Sequence, residues 1–197
     1  MTKIAVLVSG SGTNLQALIN AQKEDRLNGG EISLVISSKQ SVFALERAVN
    51  AGIKTVIIER KNYPNILKFD IAICTALCEN DIDLVVLAGF LSVLGEKTLS
   101  AFKNRIINVH PALLPSFGGK GFYGLHVHRA VLERGVKVTG ATVHFVNEEI
   151  DGGKIILQKA LNVLADDSPE SLQRRVMETC EWEILPKAVA MFCGGEL

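Results

Sequence analysis

Three short stretches of this chain carry residue types that can do chemistry. The first, Ser9-Gly10-Ser11-Gly12-Thr13-Asn14, follows the apolar run Ile4–Val8. Two glycines let the backbone turn tightly and bring several N–H groups to one point, and the start of a helix adds partial positive charge there. The natural ligand of such a turn is phosphate. A Walker loop would need Gly-Lys-Ser/Thr, which is absent. A dinucleotide fingerprint would want a third glycine where Leu15 stands and an acid about 20 residues further on. A monophosphate therefore fits better. Ser37-Ser38-Lys39 could hold a 2′-phosphate, which keeps an NADP-binding reductase or sensor open as an alternative from a different class.

The second stretch is Ile106-Ile107-Asn108-Val109-His110-Pro111. Residues two apart on a strand face the same way, so Asn108 and His110 project together, about 6–7 Å apart. An Asn can donate to a developing oxyanion, and a His can move a proton near neutral pH. The third is Asp151 in Glu149-Ile150-Asp151-Gly152-Gly153. It is either a turn residue or a carboxylate that raises the pKa of His110. His126 and His128 have a ligand-like spacing, but no carboxylate or cysteine completes a set, so no metal is expected. His144 is expected to be structural, and Trp182 to be packing.

The elements that must position these residues alternate strand, loop and helix. Ile4–Val8, Ile32–Ile36, Thr55–Ile58, Leu84–Ala88 and Ile106–His110 read as strands. Asn14–Glu24, Val42–Ala51 and the 3-4-4 series Ile66, Phe69, Ile73, Leu77 read as helices. The pattern predicts a parallel α/β sheet, Rossmann-like, with helices on both faces. After a helix at Leu125–Glu133, Val138–Val146 alternates and Ile155–Ala160 follows a short turn, which predicts an antiparallel C-terminal extension. A last helix starts at Ser168-Pro169-Glu170 and is expected to bend or end at Pro186.

Composition narrows the function class. Lys plus Arg and Asp plus Glu are each 21, so the net charge is zero, against the basic excess of nucleic-acid binders and polybasic membrane proteins. The 197 residues are expected to form one domain. The first residues lack the length of a secretory or membrane segment, so a cytoplasmic location is expected. The four cysteines have no metal or redox spacing and are expected to pack as reduced thiols.

Taken together, these segments resemble a known family. Val8-Ser9-Gly10-Ser11-Gly12-Thr13-Asn14-Leu15-Gln16, Leu87-Ala88-Gly89-Phe90, and the run from Ile107-Asn108-Val109-His110-Pro111 to Leu113-Leu114-Pro115 carry the resemblance. Gly124-Leu125-His126-Val127-His128, Val143-His144-Phe145-Val146, Asp151-Gly152-Gly153 and Ile156-Leu157-Gln158 extend it to about residue 192. The chain is similar to the phosphoribosylglycinamide formyltransferases. The Asn-x-His-Pro segment is shared with the wider formyl-folate transferases and hydrolases, whereas the glycine-rich opening is specific to this family.

The resemblance implies formyl transfer from 10-formyltetrahydrofolate to the amine of glycinamide ribonucleotide, a step of purine synthesis, with Asn108, His110 and Asp151 catalytic. Ser11, Gly12, Thr13 and Asn14 would hold the phosphate, and Glu181 the ribose hydroxyls. The folate would lie against Leu91, Ser92, Val93 and Leu94, against Asn108, and against Asn147, Glu148, Glu149, Ile150 and Asp151. Arginines that many members place at the positions of Ser92 and near Ile66 are absent, which leaves the contacts of the folate tail open. The glycine-rich segment 116–123 would act as a mobile cover. The implied partners are small molecules, with a monomer or homodimer expected. Two relatives are alternatives. A formyltetrahydrofolate hydrolase would carry an extra N-terminal domain, and a methionyl-tRNA formyltransferase a basic extension.

Overall fold

A computed structural model describes residues 1–197. The first half of the chain builds parallel strands: β1 (Thr2–Val8), β2 (Gly30–Ser37), β3 (Lys54–Ile57), β4 (Leu84–Leu87) and β5 (Ile106–His110). Helices α1 (Thr13–Lys23), α2 (Phe43–Asn50), α3 (Ile66–Cys78) and α4 (Glu96–Ala101) connect them. Then α5 (Leu125–Glu133) leads into two antiparallel strands, β6 (Val138–Phe145) and β7 (Ile155–Asn162). The strand order is β3-β2-β1-β4-β5-β6-β7 in one seven-stranded sheet. The expected α/β class and the antiparallel extension are both present.

The inner strands are apolar runs because both faces are covered. Every residue from Ile4 to Val8 is buried, as is every residue of β4. One core, on the side of α1 and the C-terminal helices, contains Ile4, Val6 and Val86. The other, on the side of α3, contains Ala5, Leu7 and Val85. Period-two alternation thus divides each strand between two cores. The chain moves outward from β1 to β2 and β3, then returns to β4 on the other side of β1. That reversal opens a crevice at the carboxyl ends of β1 and β4, where open α/β sheets bind ligands.

Helix α4 has no strong sequence signal, and its cause lies in α3. Asp70 is buried and accepts from the backbone N–H groups of Gly95 (2.9 Å) and Lys97 (2.9 Å) and from the Thr98 hydroxyl (2.6 Å). This side chain from a distant helix satisfies the orphan donors of the first turn. It also fixes the end of segment 88–95, one wall of the crevice.

The C-terminal helix departs from expectation. α6 (Pro169–Val176) starts with a Ser168 cap, as expected, but the helix does not end at Pro186. It widens into a π turn over Met177–Glu181 and continues as α7 (Trp182–Cys193), with Pro186 inside it. The distortion lies one turn before the proline, where the chain rearranges its hydrogen bonding instead of stopping.

Other expectations also shift. The connection from β6 to β7 is nine residues rather than a short turn. Among the cysteines only Cys180 is buried; Cys78 is exposed, and all four are free thiols. Trp182 is only half-buried, and its indole N–H has no acceptor. No helix is long and apolar enough to cross a membrane.

Candidate active site

The crevice is a cavity of about 750 Å³, and its floor is built at the end of β5. Asn108 and His110 point into it together, as their spacing on the strand requires. Antiparallel pairing sets His144 of β6 directly opposite Asn108. The Asn108 amide nitrogen lies 3.1 Å from His144 Nε2. His144 Nδ1 lies 2.8 Å from the Phe145 carbonyl oxygen, which can only accept. The proton therefore sits on Nδ1, Nε2 accepts from Asn108, and the Asn108 carboxamide is fixed with its other N–H free. His144 was expected to be structural; it belongs to the cluster. Its same-face spacing with Thr142 was readable, but its partner across the ladder was not.

His110 is held in the same manner. Its Nε2 donates to the Phe117 carbonyl oxygen at 2.8 Å, which leaves Nδ1 facing the cavity. Nδ1 lies 3.5 Å from Asp151 Oδ2, an ion-pair distance rather than a tight hydrogen bond. Asp151 Oδ1 lies 3.6 Å from His144 Nε2, and Oδ2 accepts from the Gly119 N–H at 2.9 Å. Asp151 has φ of 58°, the left-handed region that Asp tolerates through its short polar side chain. Its loop is pinned where Gly153 lies directly against the Phe145 carbonyl, leaving no room for a Cβ.

The charges differ from the sequence expectation in one respect. Burial pushes the His110 pKa down, and Asp151 and the Phe117 carbonyl offset this only in part. The expected raised value is therefore corrected: burial in the floor of the cavity outweighs the carboxylate. Asp151 is also lowered. Its own burial opposes ionisation, but the hydrogen bond from the Gly119 N–H and the charge of a protonated His110 outweigh that. At neutral pH the resting pair is a carboxylate beside a neutral imidazole.

His128 is fully buried with neither ring nitrogen hydrogen-bonded. Burial foremost, with a contribution from His110, lowers its pKa to about 4. An unfolded His titrates near 6.5, so between these values the unfolded chain binds a proton that the folded chain does not. Stability supplied by keeping His128 neutral is complete above about pH 6.5 and is lost as pH falls toward 4, an effect of order 3 kcal/mol. His128→Leu is expected to flatten this slope. The denaturant midpoint of the variant should change less than that of the parent between pH 7 and 5.

The other end of the cavity is the glycine turn after β1. Ser11, Thr13 and Asn14 line it. The α-carbon of Gly12 packs against α2 beneath the turn, with φ of 72°, and a Cβ there would meet the Ala44 Cβ at 2.6 Å. Gly12→Ala is expected to cost roughly 1–3 kcal/mol through strain and overlap. It should also weaken binding of a phosphate-bearing ligand, measurable by thermal unfolding and calorimetry.

Beside the turn, Glu181 accepts from the Asn14 amide at 2.6 Å. Burial raises the Glu181 pKa, and Asn14 pulls it partly back. The Asn14 Oδ1 is a buried acceptor without a donor. The pair thus offers oxygen acceptors suited to hydroxyl groups. On the remaining wall, Leu91, Ser92, Val93 and Leu94 face Asn147, Glu148, Glu149 and Ile150. Leu91, Val93 and Ile150 are about half exposed despite being large and apolar, which suits a flat ring. Ser92 and Ile66 supply no cation. Segment 119–124 closes the rim and brings Lys120 to the cavity, a cation that no motif in the sequence marks.

Ser37 and Ser38 do not form a free 2′-phosphate site. The Ser37 hydroxyl donates to the Lys39 carbonyl at 2.6 Å, and the Ser38 hydroxyl pairs with that of Ser9 at 2.6 Å. Buried Glu59 stands next to them on Gln40, where it would repel a phosphate. The dinucleotide alternative loses its anchor. No group of three or more His, Cys, Asp or Glu side chains is arranged to hold a metal ion.

Comparison with known proteins identifies the family. A model of the formyl transferase family matches residues 2–189. Phosphoribosylglycinamide formyltransferase of Haemophilus influenzae is 41% identical over 197 residues, covering 100% of this chain and 90% of that protein. The trifunctional purine biosynthetic protein adenosine-3 of Gallus gallus is 44% identical over 193 residues, but the chain spans only 18% of its length. The crystal structure of glycinamide ribonucleotide transformylase 1 from Symbiobacterium toebii superposes with a TM-score of 0.93 at 44% identity, covering 99% of this chain and 89% of that one. The chain belongs to the formyl transferase family and, within it, to the phosphoribosylglycinamide formyltransferases.

Proposed function

We propose that this protein transfers the formyl group of 10-formyltetrahydrofolate to the primary amine of glycinamide ribonucleotide, a step of purine synthesis. The observation that carries the reading is the convergence of three groups at one end of the cavity. They are the free N–H of Asn108, Nδ1 of His110 and the carboxylate of Asp151. A phosphate-type cradle stands at the other end. The two substrates are large, and a cavity of about 750 Å³ has room for both reacting parts.

In this reading the turn Ser11–Asn14 holds the phosphate, and Glu181 with Asn14 holds the ribose hydroxyls. The pterin lies between Leu91–Leu94 and Asn147–Asp151. The formyl oxygen then points at the free N–H of Asn108, and the attacking amine lies toward the unprotonated Nδ1 of His110. As the amine adds to the formyl carbon, the C=O π electrons move to oxygen, where the Asn108 N–H stabilises the charge. The attacking nitrogen loses one proton to the His110–Asp151 pair. His110 becomes an imidazolium beside the oxyanion, with Asp151 balancing it. Collapse of the adduct breaks the carbon–nitrogen bond to the folate, and the same proton goes to the leaving nitrogen. A neutral resting imidazole is what this cycle needs at its first step.

Residues 1–197 would act as one catalytic domain. The enzyme would work in the cytoplasm, as a monomer or homodimer, on small molecules and without nucleic acid; the zero net charge supports the last point. The test is loss of formyl-folate followed by absorbance. Loss that requires glycinamide ribonucleotide supports the reading, and equal loss without it indicates a hydrolase.

A further inference from the structure

We infer that Arg47, which lies outside the cavity, is a positioning residue that aims the phosphate-binding N–H groups. This rests on the reading of the glycine turn as the phosphate site. The Arg47 Nε donates to the Ser11 carbonyl at 3.0 Å, and its Nη1 donates to the Gln16 side-chain oxygen at 2.9 Å. The guanidinium lies over the Phe43 ring, 4.6 Å from its centroid, and has no carboxylate partner. One residue earlier, the Gly10 carbonyl accepts from the Ala44 N–H at 3.2 Å. Two successive carbonyls of the turn are therefore held toward α2.

In a trans peptide the C=O and the following N–H point in opposite directions. Holding the Gly10 and Ser11 carbonyls toward α2 turns the N–H groups of Ser11 and Gly12 the other way. Neither N–H donates to any protein acceptor. Such successive N–H groups form an anion-binding nest, and the left-handed conformation of Gly12 is part of that geometry. Arg47 also neutralises the carbonyl whose negative end would otherwise be free to swing toward the phosphate. Gln16, from the first turns of α1, fixes the guanidinium and thereby ties α1, α2 and the turn together.

The experiment compares two acceptors, glycinamide ribonucleotide and the corresponding riboside without phosphate. Arg47→Ala is expected to raise KM for the ribonucleotide roughly tenfold, because a charge-assisted hydrogen bond is lost. The kcat and the kcat/KM for the riboside should stay within about twofold of the parent values. Gln16→Ala, which removes no charge, should raise KM for the ribonucleotide in the same direction by a smaller factor. An equal loss on both acceptors, or no loss on either, would overturn the inference. So would a Gln16→Ala variant with unchanged KM, since Arg47 would then act only as a distant charge. Failure of the parent protein to prefer the ribonucleotide over the riboside would instead reject the phosphate site itself.

Discussion

His110→Ala is expected to lower kcat by roughly 10²- to 10⁴-fold while changing the affinity for glycinamide ribonucleotide by no more than about twofold. The ring has one nitrogen committed to the Phe117 carbonyl and one facing Asp151 and the cavity. Only the second is free to exchange a proton, so on the proposed mechanism truncation removes the group that would carry the proton and stand charged beside the oxyanion. On the proposed reading the ribonucleotide contacts would lie at the opposite end of the cavity, on the turn after β1 and on Glu181, and would be untouched. The folded state should survive. The Phe117 carbonyl loses its donor, at a cost of about 1–3 kcal/mol, and thermal unfolding should register a modest drop. Steady-state turnover together with calorimetric titration separates the two effects. Near-normal turnover in a folded variant would remove His110 from the mechanism.

Asp151→Asn is expected to have an effect of similar size, roughly 10²- to 10⁴-fold on kcat. This variant is informative because Asn preserves almost everything except the charge. It tolerates the left-handed backbone at this position, and its carboxamide oxygen still accepts from the Gly119 N–H. It cannot balance an imidazolium at His110 or receive a proton from the attacking amine. Asp151→Ala should be worse for stability, since it frees the Gly119 N–H and leaves a β-carbon in a strained conformation. The depressed pKa of Asp151 adds a pH signature. Its stabilisation is present above the unfolded value near 3.9 and is lost as pH falls through the lower folded value. The stability difference between the parent and Asp151→Asn should therefore shrink as pH is taken below about 4. A constant difference across that range would show that the charge contributes nothing to the fold.

The strands and the polar side chains that meet in the cavity were legible in the sequence for a common reason. Strands buried on both faces, such as Ile4–Val8 and Leu84–Leu87, appear as continuous apolar runs, and polar residues at their ends stand out against them. Asn108 and His110 were paired by strand geometry alone, and the glycine turn by the needs of an anion. What the sequence could not show depends on contacts between distant segments. His144 joins the site only because β6 pairs with β5 in one register. Helix α4 exists because Asp70 caps it from α3. The depressed pKa of His110 follows from how deeply the strand end is covered, which no spacing encodes. Pro186 stays within a helix because the preceding π turn absorbs the irregularity.

On the proposed mechanism the formyl carbon passes directly from folate to the amine held beside Asn108, His110 and Asp151. The measurement that reaches this transfer is isotopic. The protein is incubated with glycinamide ribonucleotide and a donor labelled at the formyl carbon, and the products are separated by mass spectrometry. Label recovered as the formamide of the ribonucleotide, in equal amount to the tetrahydrofolate formed, is the predicted result. Label recovered as free formate at the same rate with or without the ribonucleotide would contradict it.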